Sequence, residues 1–158
     1  MFQVTPSIFV GPYPLPPTVE ALLAAGVTRV LNVADGRGAY EEGEARFAEV
    51  AWEPVRDLER IPPETAAACL LTLQRLLHGE PQARVYVHCA AGQNRSPTVI
   101  WLYLIAAGLT PEEASLRIEG ASPDAIPGHP ALVDADLVAW AREFGIKAIR
   151  SHLREGIL

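Results

Sequence analysis

Apolar runs of two lengths alternate along the chain, separated by glycine, proline and polar residues. The short runs have the length of buried strands and predict strands at residues 2–4, 7–10, 29–33, 50–54 and 84–88. The longer segments repeat apolar residues at helical spacing and predict helices at residues 18–25, 40–49, 63–78, 94–107, 111–119, 130–144 and 147–154. Strands that alternate with helices indicate an α/β fold. We expect one domain, residues 1–158, with a central, mostly parallel sheet flanked by helices.

Two helix starts have recognisable caps. Thr110 is followed by a proline and two glutamates, the order of an N-cap, an N1 proline and early acidic residues. Asp124 and Asp134 also precede helical or turn segments and are interpreted as cap or turn residues.

Composition excludes several classes of protein. A hydrophobic content of 49% and a charged content of 20% are typical of a globular chain rather than a disordered one. No apolar run is long enough to span a membrane, and no basic segment precedes an apolar signal sequence. The net charge of −6 disfavours binding to nucleic acid. Two cysteines fit a reducing compartment better than a disulfide scaffold. We therefore expect a cytoplasmic monomer that binds neither nucleic acid nor a membrane.

The segment at residues 88–96, His-Cys-Ala-Ala-Gly-Gln-Asn-Arg-Ser, carries the chemistry. It stands between a predicted buried strand and a predicted buried helix, and this arrangement directs backbone N–H groups and the positive end of a helix dipole at a bound anion. A cysteine followed by five residues and an arginine can wrap its backbone around one tetrahedral oxyanion. The segment therefore predicts a phosphate-binding loop with a nucleophile inside it.

Each residue type in this loop has a physical role. The loop amides, the helix dipole and Arg95 favour the thiolate form of Cys89, which is the nucleophilic form. Arg95 carries the planar guanidinium that binds two phosphoryl oxygens at once. Gly92 allows positive φ and close approach to the ligand, and Ser96 could donate a hydrogen bond to the sulfur. His88 lies on the buried strand and is assigned to shaping the loop rather than to proton transfer.

These residues resemble the His-Cys-x-x-Gly-x-x-Arg-Ser/Thr signature of cysteine-dependent protein tyrosine phosphatases, in particular the small dual-specificity branch. Residues 7–11, 27–33 and 102–105 are similar to the family's first strand, its Leu-Asn-Val strand and its hydrophobic helix. The resemblance implies a phosphatase-like fold and a hydrogen bond from Asn32 to the phosphate loop. It also implies phosphate binding by the loop residues, which are Ala90, Ala91, Gly92, Gln93, Asn94 and Arg95. The neutral Ala90 and Gln93 argue against a highly charged inositol head group.

A phosphatase of this family also needs a carboxyl group that protonates the leaving oxygen and then activates water. Small family members place this aspartate about thirty residues before the cysteine, and Asp57 has that spacing on a loop between a strand and a helix. Glu53 and Glu59 are nearby alternatives, and Asp35 is a more distant one.

The resemblance implies hydrolysis of phosphotyrosine monoesters, and of phosphoserine or phosphothreonine as a further option, with no metal and no cofactor. The partner is then a phosphorylated protein or a small phosphomonoester. A nucleotide, an RNA 5′-phosphate or a small metabolite stays open as the substrate. A module that binds phosphate without turnover is a second class of function. A rhodanese-like sulfur carrier, which also uses a cysteine loop, is a third. Cys69 is expected to pack in the core of helix 63–78, with a redox partnership with Cys89 as the alternative.

Overall fold

The computed structural model describes residues 1–38 and 41–158, and it contains five strands and six α-helices in that part of the chain. The strands are β1 (Phe2–Gln3), β2 (Ile8–Gly11), β3 (Arg29–Asn32), β4 (Glu49–Trp52) and β5 (Val85–His88). The helices are α1 (Pro16–Ala24), α2 (Glu41–Glu44), α3 (Pro63–Leu77), α4 (Arg95–Ala106), α5 (Pro111–Ala121) and α6 (Ala135–Ala148). A short 3-10 helix, Arg150–His152, follows α6.

The strands form one five-stranded sheet in the order β1-β2-β5-β3-β4. Only β1 runs antiparallel to its neighbour, so the prediction of a mostly parallel sheet is confirmed. Strand β5 lies in the centre, between β2 and β3. Its last residue, His88, is level with Gly11 at the end of β2 and with Asn32 at the end of β3. The carboxyl ends of three parallel strands therefore meet immediately before Cys89.

Alternation of side chains along the strands divides the core into two layers. Leu31, Val85 and Val87 belong to the larger layer, which also contains the buried faces of α3, α4 and α6. Val30 and Tyr86 belong to the smaller layer on the opposite face, where α1 packs. Helices on both faces bury the sheet, which explains why its strands are almost continuously apolar.

The prediction of a helix over residues 40–49 is wrong for most of its length. Residue 40 lies outside the described residues, α2 covers only Glu41–Glu44, and β4 begins at Glu49. The Ala48 N–H already donates to the Thr28 carbonyl at 2.8 Å, and Glu49 pairs with Arg29 in the parallel ladder. Pairing with β3 thus overrides the local helical pattern.

The two last predicted helices, 130–144 and 147–154, are also corrected. A single helix, α6, begins at Ala135 and runs through Gly145 to Ala148. A Cβ atom at Gly145 would lie 1.9 Å from the Ala106 carbonyl oxygen, so this glycine lets α6 pack tightly against α4 rather than ending the helix. Tertiary packing stabilises a glycine that would weaken an isolated helix.

The predicted caps of Thr110 and Asp134 are confirmed. Thr110 and Glu113 form a reciprocal capping box, and the Asp134 carboxylate accepts from the Leu137 N–H at 2.8 Å. The helix that Asp134 caps begins at Ala135, five residues after the start predicted at residue 130. Among the described helices, none is both long and apolar enough to cross a lipid bilayer.

Candidate active site

The segment after β5 has the predicted form of strand, loop and helix N-terminus. Strand β5 ends at His88, the loop carries Cys89, and α4 begins at Arg95. Every residue of α4 is buried, so packing holds the helix firmly in place, with its amino end just after the carboxyl end of β5. The first N–H groups of a helix have no partner within it and are available to an anion.

Two outward hydrogen bonds shape the loop. The Ala90 carbonyl accepts from the Tyr13 N–H at 3.0 Å, and the Gln93 carbonyl accepts from the Ile126 N–H at 2.7 Å. In a planar trans peptide the C=O and the following N–H point in opposite directions. The amides that follow these two carbonyls, those of Ala91 and Asn94, therefore point to the inside of the loop.

Gly92 adopts the left-handed conformation that the chemistry predicts, with φ of +73°. A Cβ atom here would lie 2.5 Å from the Gly11 carbonyl carbon and 2.6 Å from the Pro12 nitrogen. Both atoms belong to the backbone and cannot move aside as a flexible side chain would. Only glycine fits this close approach of the loop to the end of β2.

The Cys89 sulfur lies at the base of this loop with two hydrogen-bonding neighbours. The Gly92 N–H donates to Sγ at 3.2 Å, and the Ser96 hydroxyl oxygen lies 3.3 Å from Sγ. The residue is only 2% exposed. Because a thiolate accepts hydrogen bonds from both groups, this environment stabilises negative charge on the sulfur.

Arg95 is buried and held by two acceptors on one nitrogen. Its Nη1 donates to Asp35 Oδ1 at 2.9 Å and to the Val55 carbonyl at 3.2 Å. Its Nε is buried and has no hydrogen-bond partner among the described residues. A buried charged donor without a partner is costly, and a bound oxyanion would satisfy it.

Asp57 lies beside the phosphate loop, in contact with its residues Asn94 and Arg95. Its Oδ1 accepts from the Leu58 N–H at 3.0 Å and from Asn94 Nδ2 at 3.4 Å, and it lies 3.9 Å from Arg95 Nε. The side chain is 38% exposed, so substrate and water can reach it. The structure thus places Asp57 3.9 Å from Arg95, in contact with the loop that carries Cys89.

The other candidate acids have different partners. Glu53 accepts from the Thr72 hydroxyl at 2.8 Å, and Glu59 forms an ion pair with Arg56 at 3.6 Å. Asp35 does face the site, but its hydrogen bond with Arg95 holds the pKa of its carboxyl below the usual range. A carboxyl group that stays ionised cannot protonate a leaving oxygen. Asp57 therefore remains the best-placed acid.

His88 is a buried residue of the sheet, as predicted. Its Nδ1 donates to the Cys89 carbonyl at 3.1 Å, and its ring contacts the rings of Tyr86 and Tyr13 at centroid distances of 5.7 and 5.5 Å. Burial lowers the pKa of His88 to about 4, so the ring is neutral near pH 7. A neutral ring can keep the donor on Nδ1 and fix the start of the loop.

The expectation that Asn32 hydrogen-bonds the phosphate loop is wrong. Its Nδ2 donates to the carbonyls of Gly36 and Arg37, both at 3.2 Å, and its Oδ1 accepts from the Ala34 N–H at 2.8 Å. Asn32 instead builds the turn that carries Asp35. This turn, rather than Asn32 itself, reaches the site, because Asp35 binds Arg95.

Two relationships in the site have only weak signals in the sequence. Asp35 follows β3, which pairs with β5, so the sequence could have indicated that Asp35 lies at the carboxyl edge of the sheet. The sequence could not have indicated that Asp35 pairs with Arg95. The Asn94 side chain reaches Asp57, although its residue type and place suggest a helix cap.

Cys69 packs in the larger core layer. Burial, followed by the charge of Glu53, raises the pKa of its thiol to about 12, and its sulfur lies 3.9 Å from the Glu53 carbonyl. Its thiol therefore stays protonated near neutral pH. Across residues 1–38 and 41–158, no cluster of three or more His, Cys, Asp or Glu side chains is arranged to hold a metal ion.

Comparison with solved structures places the fold among phosphatases. The chain superimposes on human DUSP28 with a TM-score of 0.74 at 22% identity, covering 94% of this chain and 99% of that one. It superimposes on PTPMT1 with a TM-score of 0.70 at 19% identity, covering 93% and 95%. A second PTPMT1 structure, a complex with PI(5)P, has a TM-score of 0.69, at 19% identity over 92% and 94% of the two chains.

Sequence comparison gives the family. The chain is 29% identical over 122 residues to human dual specificity protein phosphatase 13B, an alignment that covers 74% of this chain and 62% of that protein. The family model described as PTP-SAK, a Swiss Army Knife protein with a DSP-PTPase phosphatase domain, matches residues 15–158. The match spans the phosphate loop, the Asp57 loop and every element from α1 onward. The chain belongs to this family of DSP-type phosphatase domains.

Proposed function

We propose that this protein is a cysteine-dependent phosphatase that hydrolyses phosphotyrosine in proteins, and phosphoserine or phosphothreonine where they can reach the site. The observation that carries the proposal is the buried Nε of Arg95, which has no hydrogen-bond partner among the described residues, at the end of a loop whose Gly92 N–H donates to the Cys89 sulfur. An oxyanion of a phosphoryl group supplies the acceptor that this buried cation lacks.

In the first step the Cys89 thiolate attacks phosphorus, and a sulfur–phosphorus bond forms as the bond to the leaving oxygen breaks. Asp57 gives its proton to that oxygen, so the product leaves as a neutral alcohol or phenol. Arg95 and the loop amides bind the three remaining phosphoryl oxygens, whose charge pattern changes in the transition state.

In the second step water attacks the phosphorus of the phospho-cysteine, and Asp57 takes the proton of that water. The sulfur–phosphorus bond breaks, and Cys89 leaves as a thiolate. The Ser96 hydroxyl, 3.3 Å from the sulfur, donates a hydrogen bond that stabilises the departing thiolate. Phosphate release returns Asp57 and Cys89 to their starting states.

A non-protein phosphomonoester is the second candidate substrate. The fold similarity to PTPMT1, which has been crystallised with PI(5)P, favours it. The neutral Ala90 and Gln93 at exposed loop positions weigh against a highly charged head group, because they provide no cation for a second phosphate. A module that binds phosphate without turnover would require a defect in Cys89, Arg95 or Asp57, and all three are present and adjacent.

A turnover panel tests the proposal. We expect hydrolysis of phosphotyrosine peptides under reducing conditions, and slower hydrolysis of phosphoserine and phosphothreonine peptides, nucleotides and a phosphoinositide. Cys89→Ser should abolish turnover while vanadate still binds, because the amides and Arg95 remain. Arg95→Lys should be nearly as damaging, since lysine lacks the bidentate fork, whereas Arg142→Lys on the exposed surface of α6 should be silent. A serine variant that kept a tenth of the activity would exclude the thiolate mechanism.

We further propose that residues 1–158 form one catalytic domain, that it acts as a monomer on a phosphorylated partner, and that it works in the cytoplasm. The two free cysteines support the last point, because a phosphatase of this kind needs its nucleophile reduced. Sedimentation of the purified chain tests the monomer.

A further inference from the structure

The loop that carries Asp57 is anchored by backbone hydrogen bonds at both ends, and its exposed middle is held by side-chain contacts. At one end the Val55 N–H donates to the Val33 carbonyl at 3.1 Å, and at the other the Ile61 N–H donates to the Leu132 carbonyl at 2.9 Å. Both of these residues are buried, whereas residues 56–60 between them are all exposed. The conformation of Asp57 therefore depends on contacts made by the exposed middle of the loop.

Asn94 provides such a contact from the phosphate loop. It occupies the N-cap position of α4, where an asparagine side chain usually accepts from a backbone N–H of the first turn. Its side chain makes no cap hydrogen bond there, and its backbone angles, φ −112° and ψ −65°, are not those of a typical cap. Its Nδ2 instead donates to Asp57 Oδ1 at 3.4 Å.

We propose that Asn94 is a positioning residue that holds Asp57 over the phosphate loop through both halves of the catalytic cycle, an inference that rests on the proposed role of Asp57. The physical reason is charge. Asp57 has to be protonated in the first step and ionised in the second, and a neutral amide can donate to its oxygen in either state. A cation in the same place would favour only the ionised form.

Arg95 cannot take over this task. Its Nε lies 3.9 Å from Asp57 Oδ1, its Nη1 is engaged by Asp35 and Val55, and Nε and Nη2 are the nitrogens left for the phosphoryl group. Once substrate binds, the arginine is committed to phosphate. Asn94 is then the side chain of the phosphate loop that still holds the acid.

The same contact selects which oxygen of Asp57 carries the proton. Within the described residues, the hydrogen bonds and the ion pair of this carboxyl group all involve Oδ1. An oxygen that accepts from two N–H groups is a poor site for a proton. The proton therefore resides on Oδ2, where it is available to the leaving oxygen.

A double-mutant cycle in the full chain tests the proposal. Asn94→Ala should lower kcat for phosphoserine by about tenfold, the equivalent of one hydrogen bond, and lower kcat for p-nitrophenyl phosphate much less, because a good leaving group needs little protonation. In the Asp57→Asn background the same substitution should cost less than about twofold, since the positioned proton is already absent.

Two controls separate this role from a general effect on the loop. The rate of Cys89 alkylation by iodoacetamide and the affinity for vanadate should be unchanged in Asn94→Ala, because the backbone amides and Arg95 remain. The melting temperature should also be unchanged, because the side chain makes no cap bond. As a matched surface variant, Gln82→Ala lies outside the site and should leave both substrates unaffected.

Equal losses in the wild-type and Asp57→Asn backgrounds would overturn the proposal, as would equal losses for both substrates or a loss of vanadate affinity. The proposed function fails differently. If Asp57→Asn itself kept full turnover of phosphoserine, the acid would be misassigned. If Asp57→Asn lost that turnover and Asn94→Ala did not, only the positioning role of Asn94 would be excluded.

Discussion

Arg95 Nη1 and Asp35 Oδ1 lie 2.9 Å apart and join the phosphate loop to the turn after β3. The arginine is 7% exposed and the aspartate 68%, so a buried cation is paired with a carboxylate at the surface. Both hydrogen bonds of Arg95 within the described residues use Nη1, and they leave Nε for a ligand. Asp35 therefore orients the guanidinium without occupying the edge that an oxyanion needs.

Replacing Asp35 should lower kcat/KM by the same factor for all substrates. We expect Asp35→Ala to lower kcat/KM by about tenfold, the value of one partly exposed hydrogen bond to a charged group. Asp35→Asn should retain activity within about threefold, because its amide oxygen still accepts from Arg95. The loss should be independent of the leaving group, since Arg95 contacts phosphoryl oxygens. A loss concentrated on alkyl phosphates would instead identify Asp35 as the acid.

Asp57→Asn should change both rate and pH profile. Catalysis needs Cys89 ionised and Asp57 protonated together, so the wild-type pH profile should be bell-shaped. The variant should lose roughly 10²–10⁴-fold in turnover, most for phosphoserine, and its basic limb should flatten while its acidic limb persists. Profiles of Glu59→Gln and Glu53→Gln serve as controls. A full bell in Asp57→Asn together with a lost basic limb in either control would reassign the acid.

Chelators should leave the activity unchanged, and peroxide should abolish it. The mechanism uses no metal, so the rate in EDTA should equal the rate in buffer. A reactive thiolate is readily oxidised to sulfenic acid, and thiol reductant should restore it. Because the Cys69 thiol is buried and stays protonated, Cys69→Ala should be inactivated and recovered in the same way. Rescue of a chelated enzyme by zinc or magnesium would indicate another class of hydrolase.

His88 should make stability depend on pH. Its pKa falls from 6.5 to about 4 on burial, so between these values the unfolded chain binds a proton that the folded chain does not. The free energy of unfolding should therefore fall as pH decreases from about 6.5 to about 4, by at most roughly 3 kcal/mol. Urea titrations of His88→Asn should show a flatter dependence across this window.

The contact between α6 and α4 can be tested with two glycines. Gly145→Ala would place a Cβ atom 1.9 Å from the Ala106 carbonyl oxygen, and it should destabilise the protein by about 1–3 kcal/mol through overpacking. Gly120 in α5 has no atom within 4 Å of the same position. Gly120→Ala should therefore stabilise by about 0.5–1 kcal/mol through helix propensity alone. Thermal unfolding of the two variants should show shifts of opposite sign.

The sequence predicted the fold wherever local pattern and tertiary packing agree. Strand β5, helix α4 and the capping box at Thr110 follow from apolar runs and cap residues that act over a few positions. The prediction of a helix failed at residues 45–49, which lead into β4 and its pairing with β3, and the prediction of a helix end failed at Gly145, where packing of α6 against α4 stabilises a residue unfavourable in a helix. Both failures depend on a neighbour far away in the chain.

The same division holds in the site. The nine residues from His88 to Ser96 are contiguous, so their sequence alone predicted a phosphate loop with Cys89 and Arg95 in it, and the spacing typical of the resembled family suggested Asp57. Only the tertiary structure decided that Asp35 orients Arg95 and that Asn94 reaches Asp57. The first pair meets because β3 lies beside β5 in the sheet, and the second because β4, which precedes the Asp57 loop, lies beside β3; that strand order arises from long-range pairing rather than from local preference.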